Sequence, residues 1–124
     1  GAIALATALD YVNNIGIDRI SAHEHRLIQK AAERISALDG VTLYGPSDRA
    51  GALSFGFLGI HHYDLGTLLD QMGFALRTGH HCCQPLMARF GITGTLRASF
   101  AAYNTNEEVE QLGEALEKAL RMLR

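Results

Sequence analysis

Apolar side chains recur every three or four residues along the first third of the chain, the spacing that puts them on one face of a helix. Ile3, Leu5, Leu9 and Val12 outline a short helix over residues 2–14, ended by the Asn-Asn pair and Gly16. Ile20, Leu27, Ile28, Ala31, Ile35 and Leu38 outline a longer one with Gly40 past its end, and its polar face carries Glu24, Arg26, Lys30, Glu33 and Arg34. The pattern then tightens. VTLYGP predicts a strand running into a turn at Gly45 and Pro46, and ALSFGFLGI a second strand loosened by Gly56 and Gly59, most economically as an antiparallel pair. Asp64 is the expected cap of a helix through Leu65, Leu68, Leu69 and Met72 that stops at Gly73. FALR then reads as a short strand delivering the chain into TGHHCCQP. Pro85 suits the first position of a short helix, PLMARF, closed by Gly91, and TLRASF reads as another strand. Thr105 and Glu108 form a capping box for a last helix with Val109, Leu112, Leu116, Ala119, Leu120 and Leu123 on one face. The expected fold class is α+β: one domain over residues 1–124, a small antiparallel sheet with helices packed over one face.

Composition narrows the function. The chain has 124 residues, 48% of them hydrophobic, enough for one core. A net charge of -2 with scattered basic residues gives no footprint for nucleic acid or an anionic membrane. No apolar run approaches the roughly 20 residues of a membrane span, and the apolar start has no basic segment before it, so a cytoplasmic protein is expected. The only cysteines, Cys82 and Cys83, are adjacent and cannot staple distant parts of the fold.

Chemistry is densest in Arg77-Thr78-Gly79-His80-His81-Cys82-Cys83-Gln84-Pro85. A thiol must ionise to react, and neighbouring cations, imidazolium and a helix start favour the ionised form, so Cys82 is the candidate nucleophile. Gly79 supplies backbone freedom just before it. Cysteine is often a small buried hydrophobe, but a glycine, two histidines, two thiols and a proline in a row are poor core material. A metal site from His61, His62, His80, His81, Cys82 and Cys83 is disfavoured, because adjacent side chains in an extended segment point to opposite faces and no C-x-x-C spacing occurs. Arg97, in a strand with small Ala98 and Ser99 after it, could present its planar fork to a carboxylate or could equally snorkel along the sheet.

The stretch HHYDLGTLLDQMGFALRTGHHCCQPLM, followed by TLRASFAAYNTNEEV, resembles the C-terminal region of Suf-type cysteine desulfurases, also known as selenocysteine lyases. The likeness runs over essentially the whole chain, and RTGHHC with RAS and YNT is a specific combination. It implies the small domain of a class V aminotransferase-like fold whose large, pyridoxal-phosphate-binding domain is not part of this sequence. It implies that Cys82 attacks the sulfur of a cofactor-bound cysteine, leaving a persulfide on Cys82 and releasing alanine for iron–sulfur cluster assembly. By matching position, Arg97 holds the substrate carboxylate, Arg77 lies beside the site, and His80 and His81 lead into the nucleophile with proton-transfer roles unassigned. The parent enzyme is expected to be a homodimer.

Three departures from that pattern matter. Cys83 stands where the family usually has alanine; a second sulfur carrier and a vicinal disulfide are open, and a neutral substitution is the favoured reading. The cofactor's lysine is missing, since Lys30 and Lys118 are the only lysines and both fall on apparently solvent-facing helix positions. No cofactor is therefore expected in this stretch alone, which is expected to be inactive by itself; the rival reading is a free-standing persulfide carrier. Tyr63 occupies the place where members serving zinc-containing U-type acceptors have histidine, which points to an E-type sulfur acceptor.

Overall fold

The computed structural model describes all of residues 1–124. Helix α1 (Ala2–Ile15) and helix α2 (Ile17–Ser36) meet at Gly16, whose φ of 96° turns the chain between them. Strand β1 (Val41–Tyr44) and strand β2 (Ala52–Phe57) follow, then α3 (His62–Gln71), β3 (Arg77–Gly79), α4 (Gln84–Phe90), β4 (Thr95–Ser99) and α5 (Asn106–Leu123). The sheet order is β1-β2-β4-β3, antiparallel throughout. This is the expected α+β architecture, and the capping box at Thr105 and Glu108 is present at the start of α5.

Strand alternation separates two faces. Leu43, Phe55 and Leu96 are register neighbours on one face, as are Leu53 and Ala98. They join Leu27, Ile28 and Ile35 of α2, Leu65 and Leu69 of α3, and Val109, Leu112 and Leu116 of α5 in one buried core. Gly66 of α3 has no side chain where Thr78 Cγ2 of β3 packs, so the helix seats directly on the strand that leads to the thiols. The opposite face carries a row across all four strands: Tyr44 opposite Ser54, Ser54 opposite Arg97, Arg97 opposite Arg77. Helix α4 lies against this second face, where the Phe90 ring stacks 5.4 Å from Tyr44 and Met87 is buried.

Several boundaries differ from the sequence reading. FALR is not a strand: the Phe74 N–H donates to Leu69 O to close α3, so pairing begins only at Arg77. The second strand stops at Phe57, where a bridge from Phe57 to Ile60 turns the chain back. Asp64 does not cap α3; the helix starts two residues earlier, with His61 Nδ1 accepting the Tyr63 N–H at 3.3 Å. Pro85 is the second residue of α4 and Cys83 its N-cap. Helix α1 buries none of its residues, leaving Ile3, Leu5, Leu9 and Tyr11 open. No helix is long and apolar enough to cross a membrane.

Phe55 is fully buried at the centre of the core, whereas Thr105 only caps an end of α5. Phe55→Ala is expected to cost about 3–5 kcal/mol and Thr105→Ala about 1 kcal/mol, read as shifts of the urea unfolding midpoint. Equal shifts would show that the core does not centre on β2.

Candidate functional site

The chain leaves β3 at Gly79 with φ 113°, then passes through His81 (φ 52°) and Cys82 (φ 57°), both in left-handed conformation. Each such non-glycine residue costs on the order of 1–3 kcal/mol and persists only where its surroundings hold it. Three hydrogen bonds do so here. The Cys83 N–H donates to His80 O at 2.8 Å, the Cys82 N–H donates to His80 Nδ1 at 3.0 Å, and His81 Nε2 lies 3.0 Å from Thr95 Oγ1 on β4. His80 Nδ1 must be unprotonated to accept, which leaves the ring proton on Nε2. The loop is a left-handed turn, so the extended geometry used in weighing a metal site does not apply to it.

Arg97 and Arg77 stand directly opposite each other on the face the loop overhangs. Like charges so placed repel, and no acidic side chain forms an ion pair with either. Arg97 Nε is buried without a hydrogen-bond partner. A cavity of about 240 Å³ lies over this face, lined among others by Arg97, His81, Cys83, Ser54, Tyr44 and Phe90. Cys83 lines it and Cys82 does not; both thiols are free and exposed. A larger hollow of about 550 Å³, between the end of α3 and the start of α5, contains neither thiols nor histidines. An unpaired guanidinium, a second one beside it and a thiol at the rim suit a small molecule bearing a carboxylate and a reactive sulfur.

Burial, followed by repulsion from Arg97, Arg77 and His80, lowers the pKa of His81 from 6.5, opposed by its bond to Thr95. Burial, His61 and His81 lower that of His62, opposed by Asp64. The neutral form of His81 is therefore favoured, with Arg97 the cation acting on it most strongly. His62 packs its Nε2 against Gly94, whose backbone also passes close to Gly79. Thus α3, the β3 exit and the β4 entry meet under the loop.

All the residues singled out from sequence, Arg77, Gly79, His80, His81, Cys82, Cys83 and Arg97, fall in this region. Sequence reading missed Thr95, Ser54 and Tyr44, which strand register alone brings to the site, and named His62 only as a disfavoured metal ligand, whereas its packing against Gly94 depends on where α3 begins. Neither lysine is near. Lys30 pairs with Glu110 at 3.1 Å across α2 and α5, and Lys118 is exposed on α5. The chain's own residues therefore do not fit a Schiff-base cofactor. No group of three or more His, Cys, Asp or Glu side chains is placed to hold a metal ion.

Residues 1–112 match the family model described as Aminotransferase class-V. The chain belongs to this family. Among class-V relatives it is 49% identical over 118 residues to a probable cysteine desulfurase of Halalkalibacterium halodurans, covering 95% of this chain and 29% of the relative. It is also 49% identical over 123 residues to a probable cysteine desulfurase of Vibrio cholerae, covering 99% and 30%. The apo structure of cysteine desulfurase from Thermococcus onnurineus NA1 superposes with a TM-score of 0.93 at 40% identity, over 99% of this chain and 31% of that one. Cysteine desulfurase CsdA (S-sulfonic acid) from Escherichia coli superposes with a TM-score of 0.93 at 38% identity, over 100% and 31%. The class-V chain thus spans about 30% of the length of the curated relatives it matches.

Because the folded pKa of His81 and of His62 lies below 6.5, the unfolded chain binds more protons than the folded one between the folded value and 6.5. Their contribution to stability is full above pH 6.5 and falls as the pH drops through that window. Urea midpoints measured from pH 7.5 down to 5 should fall, and the double substitution His62→Gln, His81→Gln should flatten the slope. A slope unchanged in the double variant would show that neither imidazole is held neutral.

Proposed function

We propose that this chain is the small-domain portion of a Suf-type cysteine desulfurase, a pyridoxal-phosphate enzyme in which Cys82 takes sulfur from L-cysteine and leaves alanine. The observation that carries the reading is the placement of a strained, exposed thiol turn over the unpaired Arg97–Arg77 pair on one sheet face. The identity to cysteine desulfurases along nearly the whole chain supports it. Pyridoxal phosphate, when bound, supplies the electron sink that loosens the substrate's carbon–sulfur bond. Its lysine belongs to the part of the protein beyond this chain, since Lys30 and Lys118 lie away from the site. The uncovered apolar side chains of α1 suit contact with that part.

Within the chain, Arg97 receives the substrate carboxylate in its planar fork. Arg77 adds positive charge beside it. Cys82 attacks the substrate sulfur, forming a sulfur–sulfur bond; the carbon–sulfur bond breaks, and the carbon keeps its electron pair and gains a proton. Neutral His81, held at Thr95, offers a nitrogen for proton movement at the cavity wall. The persulfide serves iron–sulfur cluster assembly in the cytoplasm, and the parent enzyme is a homodimer. Cysteine and selenocysteine carry the same carboxylate for Arg97, so a selenocysteine lyase activity belongs to the same reading.

The acceptor is an E-type protein that receives sulfur thiolate to persulfide. Tyr63, the position that matters for a zinc-bearing acceptor, is an exposed phenol on the first turn of α3. Residues 62 and 63 open the helix rather than lying in an extended segment. Packing supports the same reading: His61 Nδ1 is engaged in capping and His62 is turned against Gly94.

Alanine formation by the full-length enzyme should fall about 10³-fold or more in Cys82→Ser, as when a nucleophile is removed. Wild-type turnover should rise with an E-type acceptor and not with a zinc-loaded U-type protein, and this chain alone with pyridoxal phosphate should form no alanine. Full activity in Cys82→Ser would overturn the assignment, and turnover by the chain alone would overturn the small-domain reading.

A further inference from the structure

The two adjacent cysteines do not occupy equivalent places. Both thiols are exposed, but Cys83 lines the cavity that holds Arg97 and His81, while Cys82, in the left-handed turn, stands outside its lining. Sequence favours reading Cys83 as a neutral replacement for alanine, but alanine at that rim would offer no sulfur chemistry. Consecutive α-carbons are roughly 3.8 Å apart, a separation that two cysteine side chains and one added sulfur can span. The positive φ at Cys82 belongs to a turn closed from Cys83 N–H to His80 O, so the two cysteines are its last two residues and are fixed relative to each other. A persulfide anion on Cys83 would share a cavity with Arg97, which forms no ion pair. On Cys82 it would face solvent.

We propose that Cys83 is a second sulfur-carrying thiol, which takes the sulfane sulfur from Cys82 and holds it at the Arg97 cavity until an acceptor collects it. The inference rests on the desulfurase reading only for the source of the sulfur. In the step, the Cys83 sulfur attacks the outer sulfur of the Cys82 persulfide. A Cys83–sulfur bond forms, the Cys82–sulfur bond breaks, and Cys82 leaves as a thiolate that takes up the proton given up by the Cys83 thiol. One persulfide and one thiol become one thiol and one persulfide, so no oxidant or reductant is consumed. The reverse step returns sulfur to the exposed position. Cys82, once emptied, can accept a second sulfur while the first is stored.

The test counts and locates sulfane sulfur. The full-length enzyme is incubated with excess L-cysteine and no acceptor, alkylated, and analysed by tandem mass spectrometry that resolves the two residues. The proposal expects sulfane sulfur on both Cys82 and Cys83, a fall to about half the total in Cys83→Ala, and none on either position in Cys82→Ser. Sulfane sulfur confined to Cys82, with the same total in Cys83→Ala, would overturn it, as would unimpaired loading of Cys83 in Cys82→Ser.

A second arm treats the 124-residue chain with cysteine persulfide, which needs no desulfurase chemistry. Sulfur on both thiols there, with none on Cys83 in the Cys82→Ser chain, supports the proposal even if the full-length enzyme loads neither, an outcome that would overturn the desulfurase reading alone. Sulfur on Cys82 alone in this arm would overturn the relay and leave the desulfurase reading standing.

Discussion

The register between β2, β4 and β3 is the constraint on which the rest depends. Leu96 and Ala98 face the core while Arg97 between them faces the opposite side, beside Ser54 and opposite Arg77. Slipping β4 by one residue would drive the guanidinium into the buried helices and turn two core side chains outward. The energy of burying Leu96 and Ala98 against α2, α3 and α5 therefore also aims Arg97. Core packing and the placement of Arg97 thus share one strand.

From that frame the thiol turn is held at both ends. Gly66 lets α3 seat on β3 and fix where the strand ends, and His62 packs against Gly94 where β4 begins. Between them, His80 and Thr95 supply the hydrogen bonds that keep two non-glycine residues left-handed. Strain at a reactive loop held by its surroundings is a recurrent feature of functional sites. Its result here is two exposed thiols, of which Cys83 lines the cavity beside Arg97, on a face whose positive charge has no partner in the chain.

Much of this was legible in the sequence because it is local. The apolar stripes of α2 and α5, the capping box at Thr105, and the run of glycine, histidine and cysteine at residues 79–83 need no knowledge of tertiary contacts. The strand read at FALR failed because the Phe74 N–H closes α3, a hydrogen bond no periodicity announces. Asp64 was an acceptable cap by residue type, but His61 captured the role through a ring nitrogen, which moved His62 and Tyr63 onto a helix. Burial and two nearby arginines keep His81 neutral, and those neighbours become visible only once strands are paired. Ser54, Tyr44 and Thr95 carried no signal of their own, since their place at the site is a property of register.

Strand register puts Arg97 in the cavity beside the thiol turn, where its planar fork would receive a substrate carboxylate. Comparing full-length enzyme with Arg97→Lys, which keeps the charge and loses the planar fork, isolates that role. In Arg97→Lys, kcat/KM for L-cysteine is expected to fall about 10-fold to 100-fold, as for loss of a charge-assisted bond of roughly 1.5–3 kcal/mol, while Cys82 reacts with iodoacetamide at its original rate. An unchanged kcat/KM, or a loss matched by slower alkylation of Cys82, would contradict it.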